Sequence, residues 1–274
     1  MKKLLAVAVL AFAQSALASV CSLSVVDSTC TFATDTSGGT ALFTNPSNLA
    51  NIGSGVITPF LTTQSNGSES GVSTDETAVN KLPLDDKRDN AGSFTNTFTL
   101  DQLATVTVAG KTYYSFFLDI NESNGGTQNL LSLDTLRVWG QTGANPSALF
   151  DATNTNVTSL ADVDLFPNLS LVYAMGPSNN LVMDYNLFAG SGLGYDMNLL
   201  LPTSLFSGLA SNSRIVFGTA FGGLESTIPG TSTSDGFEEW HYLPGQRALP
   251  EPGSVALLGA GLLGIGFTRR FSTK

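Results

Sequence analysis

Histidine is almost missing from this chain of 274 residues, in which His241 is the only one. A two-histidine metal centre is therefore excluded. Ser-His-Asp catalysis also loses support, because no Gly-x-Ser-x-Gly elbow is present. Cysteine is nearly as scarce: Cys21 and Cys30 are the only pair, and no further Cys or His lies close enough in sequence to suggest a metal or redox role. Basic residues number twelve against twenty-two acids, a formal net charge of −10. Such a field repels nucleic acid and anionic membranes and favours solubility or cation binding. No internal repeat of fixed period is present, which argues against a solenoid or a propeller.

Long uncharged apolar runs occur only near the two ends. At the start, Lys2 and Lys3 precede the run Leu4 to Phe12, and Ala16 and Ala18 then form a small-residue cleavage pattern ending at Ser19. This is the pattern of a secretory signal peptide over 1–18, with export through the Sec translocon. Val20 precedes Cys21 where a lipidation signal needs a small residue, so a lipoprotein is disfavoured. Export places Cys21 and Cys30 in an oxidising compartment, where a disulfide between them is expected. Once both ends are removed, seven basic residues face twenty-one acids, and the exported body is near −14.

Between the ends, the body reads as β-structure. From Thr31 to about Asn80 the chain is Ser-, Thr-, Gly- and Asn-rich with no helical period, as expected for short strands and turns. In "SFTNTFTL", Phe94, Phe98 and Leu100 share one parity and the threonines take the other. "TVTVAGKTYYSFFLDI" reads as a hairpin: Val106 and Val108 alternate, Ala109-Gly110-Lys111 turns, and Tyr114, Phe116, Leu118 and Ile120 line one face. Further strands are expected over 171–175, 180–187, 195–202 and 214–221, with "DGFEEWHYLPG" supplying the last and burying Trp240 and Tyr242 on one side. Strands of this length and spacing predict an all-β fold, an antiparallel β-sandwich of jelly-roll-like type spanning 19–248.

The second apolar run closes the chain. Pro250-Glu251-Pro252 precedes fifteen uncharged residues, Gly253 to Phe267, and then Arg269 and Arg270. As a helix that run would be about 22 Å long, short of a ~30 Å hydrocarbon core. Cationic flanks on one side can hold it in a thin bilayer with Arg269, Arg270 and Lys274 cytoplasmic. Pro250 and Pro252 keep the peptide outside it extended and accessible.

The order, spacing and terminal position of these three parts resemble the PEP-CTERM sorting signal of Gram-negative bacteria, here over 249–274. One departure is Leu249, where a valine often precedes the motif. The resemblance implies transient anchoring in the inner membrane, recognition by an exosortase, and release to the cell surface or extracellular matrix in species that make extracellular polysaccharide.

Two local constellations carry candidate chemistry. In "LDINESNGGTQNLLSLD", Asp119, Asn121, Glu122 and Asp134 are oxygen-bearing side chains that would form a calcium site if they converged. The spacing is not that of an EF-hand, and the alternative of turn-forming, backbone-capping residues fits better. Glu238 and Glu239 are adjacent carboxylates but not a glycosidase pair, because neighbours on a strand point to opposite faces. The expectation is thus a noncatalytic exported protein without a cofactor, structural or adhesive in the envelope or in a biofilm. The alternatives are a carbohydrate-binding module for extracellular polysaccharide and, third, a polysaccharide-acting enzyme.

Overall fold

Sixteen short strands carry the described part of the fold. In chain order they are β1 (Ser19–Ser22), β2 (Thr29–Ala33), β3 (Thr40–Thr44), β4 (Leu61–Thr63), β5 (Asn66–Gly67), β6 (Glu69–Val72), β7 (Phe98–Thr99) and β8 (Thr105–Val108). There follow β9 (Lys111–Asp119), β10 (Leu130–Gln141), β11 (Leu169–Ala174), β12 (Asn179–Asp184), β13 (Met197–Pro202), β14 (Arg214–Phe221), β15 (Thr233–Ser234) and β16 (Glu238–Tyr242). The computed structural model describes residues 19–34, 39–45, 59–73, 95–122, 129–143, 159–187, 195–234 and 236–245. The signal peptide over 1–18 and the closing segment from 246 onward, with its expected membrane helix, lie outside the described residues.

The strands form two seven-stranded sheets and one two-stranded ribbon. The first sheet runs β1-β12-β10-β14-β6, with β11 on β10 and β7 on β14. The second runs β2-β3-β13-β9-β16-β4, with β8 on β9, and β5 pairs with β15. Every pairing among them is antiparallel except that of β1 with β12. The fold is therefore all-β.

Both sheets contribute to one apolar core. Phe116 and Leu118 of β9, Leu199 and Leu201 of β13, and Trp240 of β16 meet Ile215, Phe217 and Phe221 of β14 and Leu131 and Leu133 of β10. Period two explains most of this burial, since alternate side chains of a strand share a face. Phe116 and Leu118 on β9 and Ile120 just beyond it are fully buried, and Tyr114 packs against the same cluster. The turn between β8 and β9 is tighter than the sequence suggests: Lys111 already belongs to the strand. Ala109 and Gly110 turn the chain with φ of 48° and 77°, as a two-residue hairpin loop requires.

The strand β10 changes faces part-way. Leu131 and Leu133 share one parity and Leu136 and Val138 the other, yet all four lie in the same core. Its register against β14 shifts between Leu133 and Thr135, so Asp134 sits in a β-bulge, and the extra residue restores the apolar side chains to the inner face. The outer face of the first sheet is also covered. Trp139, Val216 and Val72 pack there against Leu160 and Val163 of a 3-10 turn, Leu160–Leu165. Trp139 Nε1 donates to Asp164 Oδ1 at 2.7 Å, and Arg137 pairs with the same carboxylate.

Some expectations need correction. The strand expected around Phe94 to Leu100 is only β7, because Leu100 opens a 3-10 turn, Leu100–Gln102, held by Thr99 N–H donating to Gln102 Oε1 at 2.7 Å. Phe94 lies outside the described residues. Val108 is exposed, since β8 pairs only with β9, at its turn end.

Candidate functional site

The N-terminal cysteines join the two sheets. Cys21 lies on β1 in the first sheet and Cys30 on β2 in the second, and they form a disulfide with a Cα–Cα distance of 6.0 Å. Ser19, where signal cleavage is expected, is the first residue of β1, and its N–H donates to Ser178 O at 2.7 Å. Leu23 is buried just beyond β1 and its N–H donates to Val182 O at 2.8 Å. The short parallel strand is thus fixed at both ends and cross-linked in the middle. Ala16 and Ala18 lie outside the described residues.

The four residues considered for calcium do not share one set of partners. Asp134, in the bulge of β10, accepts from Gly223 N–H at 2.6 Å and from Ser132 Oγ at 3.2 Å. Asn121 is exposed and accepts from the Tyr185 hydroxyl at 3.5 Å. Glu122 is buried and accepts from Ser234 N–H at 2.8 Å. Asp119 stands directly opposite Glu239 on β16. Among the described residues, no group of three or more His, Cys, Asp or Glu side chains is placed to hold a metal ion. Asp134 and Glu122 each accept a backbone N–H, from Gly223 and Ser234, whereas Asn121 accepts a side-chain hydroxyl.

Two acidic groupings appear instead, on opposite faces of β16. Glu239 and His241 take one face and Glu238, Trp240 and Tyr242 the other, as period two demands. On the face of Glu239, burial and the neighbouring Glu239 charge push Asp119 up to about 7. Asp196 accepts from Ile120 N–H at 2.8 Å and is driven well above the usual carboxylate range by burial. The Tyr195 ring stacks on Phe117 at 4.6 Å and sits 5.3 Å from His241, and burial raises its hydroxyl above the usual range, with Asp119 and Glu239 adding to the effect.

On the inner face, Glu238 meets Glu69 of β6 and Glu122 from the end of β9. All three are buried, at 0%, 3% and 3% exposure respectively. Sequence reading missed Glu69, Asp196 and Tyr195 altogether. It also placed Glu238 on a strand without seeing what it faces. The usable signal was the shared parity of Glu238 with Trp240: a carboxylate in line with a core tryptophan needs a special partner.

The body leads directly to the closing segment. Leu243 N–H donates to Ser115 O, and Gly245 N–H donates to Gln102 O at 2.6 Å, so the chain stays tied to the sheet until four positions before Leu249-Pro250 begins to be read as a signal. Pro250, Glu251, Pro252, Arg269 and Arg270 themselves lie outside the described residues. No curated protein and no solved structure matches the chain. A family model described as the PEP-CTERM protein-sorting motif matches residues 248–270, which contain all five of these residues. The chain therefore carries a PEP-CTERM sorting motif, the C-terminal sorting signal of exosortase substrates.

Proposed function

We propose that this is an exported protein whose β-rich body, a jelly-roll-like sandwich over 19–248, acts noncatalytically, as a structural or adhesive component of the envelope or extracellular matrix. The observation that carries the reading is the sorting motif at 248–270, which makes an exosortase the processing partner. Entry through the Sec translocon, transient anchoring in the inner membrane and final release to the surface complete the route. The inter-sheet disulfide is consistent with it, because such bonds persist in oxidising compartments.

The carbohydrate-binding alternative receives less support from the surface. Stacking platforms for sugars use exposed tryptophan or tyrosine. Both tryptophans and three of the six tyrosines are buried here, and Tyr114, Tyr185 and Tyr242 are only half-exposed.

The test is mass spectrometry of the protein recovered from a host that carries the exosortase, together with a Pro250→Ala/Pro252→Ala variant. The wild type is expected outside the inner membrane without its basic tail, and the variant in the membrane with that tail intact. Recovery of the wild type from the cytosol with Arg269 and Arg270 attached would overturn the reading. Saturable, sugar-competed binding of the purified protein on a glycan array would favour the carbohydrate-binding module.

A further inference from the structure

The inner acidic group lies where the two sheets meet at one edge. The strand β4 is the last of the second sheet and β6 the last of the first. Glu69 on β6 is paired with Phe221 of β14 and so points between the sheets. Glu238 on β16, opposite Thr63 of β4, points into the same space from the other sheet. Glu122 enters from the end of β9, and its Oε2 is held by the N–H of Ser234 on β15.

The hydrogen-bond donors are unevenly shared. Glu69 accepts from the Thr63 hydroxyl and from Ser65 N–H at 2.8 Å. Glu122 accepts from Ser234 through Oε2, while its Oε1 is buried with no donor. Neither oxygen of Glu238 receives an N–H or O–H, although both neighbouring carboxyl groups lie within hydrogen-bonding range. Two ionised carboxylates cannot bond to each other, so this contact needs a hydrogen on one of them.

No described cation supplies the missing charge. Lys111 lies at the far end of β9, Arg137 pairs with Asp164, and Arg214 bonds Gln141. Asp119, Glu239 and His241 occupy the opposite face of β9 and β16. Keeping Glu238 and Glu122 both ionised here, with oxygens that no donor reaches, would cost many kcal/mol, and a buried carboxyl avoids that cost by staying neutral.

We propose that one proton, carried by Glu238 and donated to Glu122 or Glu69, fastens the two sheets at this edge, and that its departure as pH rises loosens them. Glu238 is the proton carrier because it alone lacks a donor, and Glu122 Oε1 is the acceptor that otherwise has none. Burial and the two neighbouring carboxylates act in the same direction, lifting Glu238 well above the usual carboxylate range. A carboxyl raised in the folded state contributes stability that is complete below its unfolded value, near 4.5, and is lost as pH climbs through the folded one.

The experiment is thermal melting of the exported protein and its Glu238→Gln variant from pH 5 to pH 8.5. Glutamine has the same shape, stays neutral and still donates. Its melting temperature should exceed that of the wild type by a few degrees at pH 8, with the gap closing toward pH 5. A gap that does not change with pH, or a variant that melts below the wild type at pH 8, overturns the proposal. If Glu238→Gln does not fold, Glu122→Gln is the second variant. It replaces one anion by a donor, lets Glu238 ionise at lower pH, and should flatten the wild-type slope; an unchanged slope overturns the proposal. Millimolar calcium that stabilises the wild type at pH 8 but not Glu238→Gln would also overturn it, since a cation would then hold the edge.

Discussion

Removing the disulfide is the perturbation whose size follows most directly from the structure. Cys21 and Cys30 close a loop of nine-residue separation, and the chain-entropy relation assigns such a loop about 2–3 kcal/mol. The folded state should change little, because Leu23 stays buried and the pairing of β1 with β12 does not depend on sulfur. The Cys21→Ala/Cys30→Ala variant should therefore unfold at a urea concentration about 1 M lower, given a slope of about 2–3 kcal/mol/M for a domain of this size. Tryptophan fluorescence reads the transition well, since Trp139 and Trp240 are both buried, one on each sheet. An unchanged midpoint would refute the loop-closure argument. So would a loss beyond about 5 kcal/mol, the upper end for disulfides, because the bond would then be holding the sheets together in the folded state.

Two further outcomes test the packing and the outer acidic group. A Cβ at Gly236 would lie 1.7 Å from the backbone oxygen of Asn121, which cannot retreat without shifting Glu122, so Gly236→Ala should cost at least about 1–3 kcal/mol in a denaturant melt. Asp119, raised to about 7 by burial and Glu239, favours the folded state at low pH and opposes it above neutrality. Asp119→Asn should accordingly melt like the wild type near pH 5 and a few degrees higher at pH 8.5, as about 1–2 kcal/mol would produce in a domain this large. A titration midpoint for Asp119 near 4 by carboxyl-carbon NMR would refute that assignment.

Two kinds of information were legible in the sequence alone. The sorting motif is a linear address, Pro250-Glu251-Pro252 followed by an apolar run and Arg269-Arg270, read without reference to any fold. The inward faces of β9 and β16 were legible because alternation is a local property of an extended backbone, and Phe116, Leu118 and Trp240 lie where parity puts them. Tertiary structure decided which strands are neighbours. That choice depends on contacts between residues remote in the chain, to which a local period is blind. It alone brought Glu69, Glu122 and Glu238 into one seam, set Asp119 against Glu239, and placed Asp134, one of the residues considered for calcium, in the bulge of β10. It also laid β1 parallel to β12, a pairing that the expected all-antiparallel arrangement did not include and that needs a long excursion of the chain between the two strands.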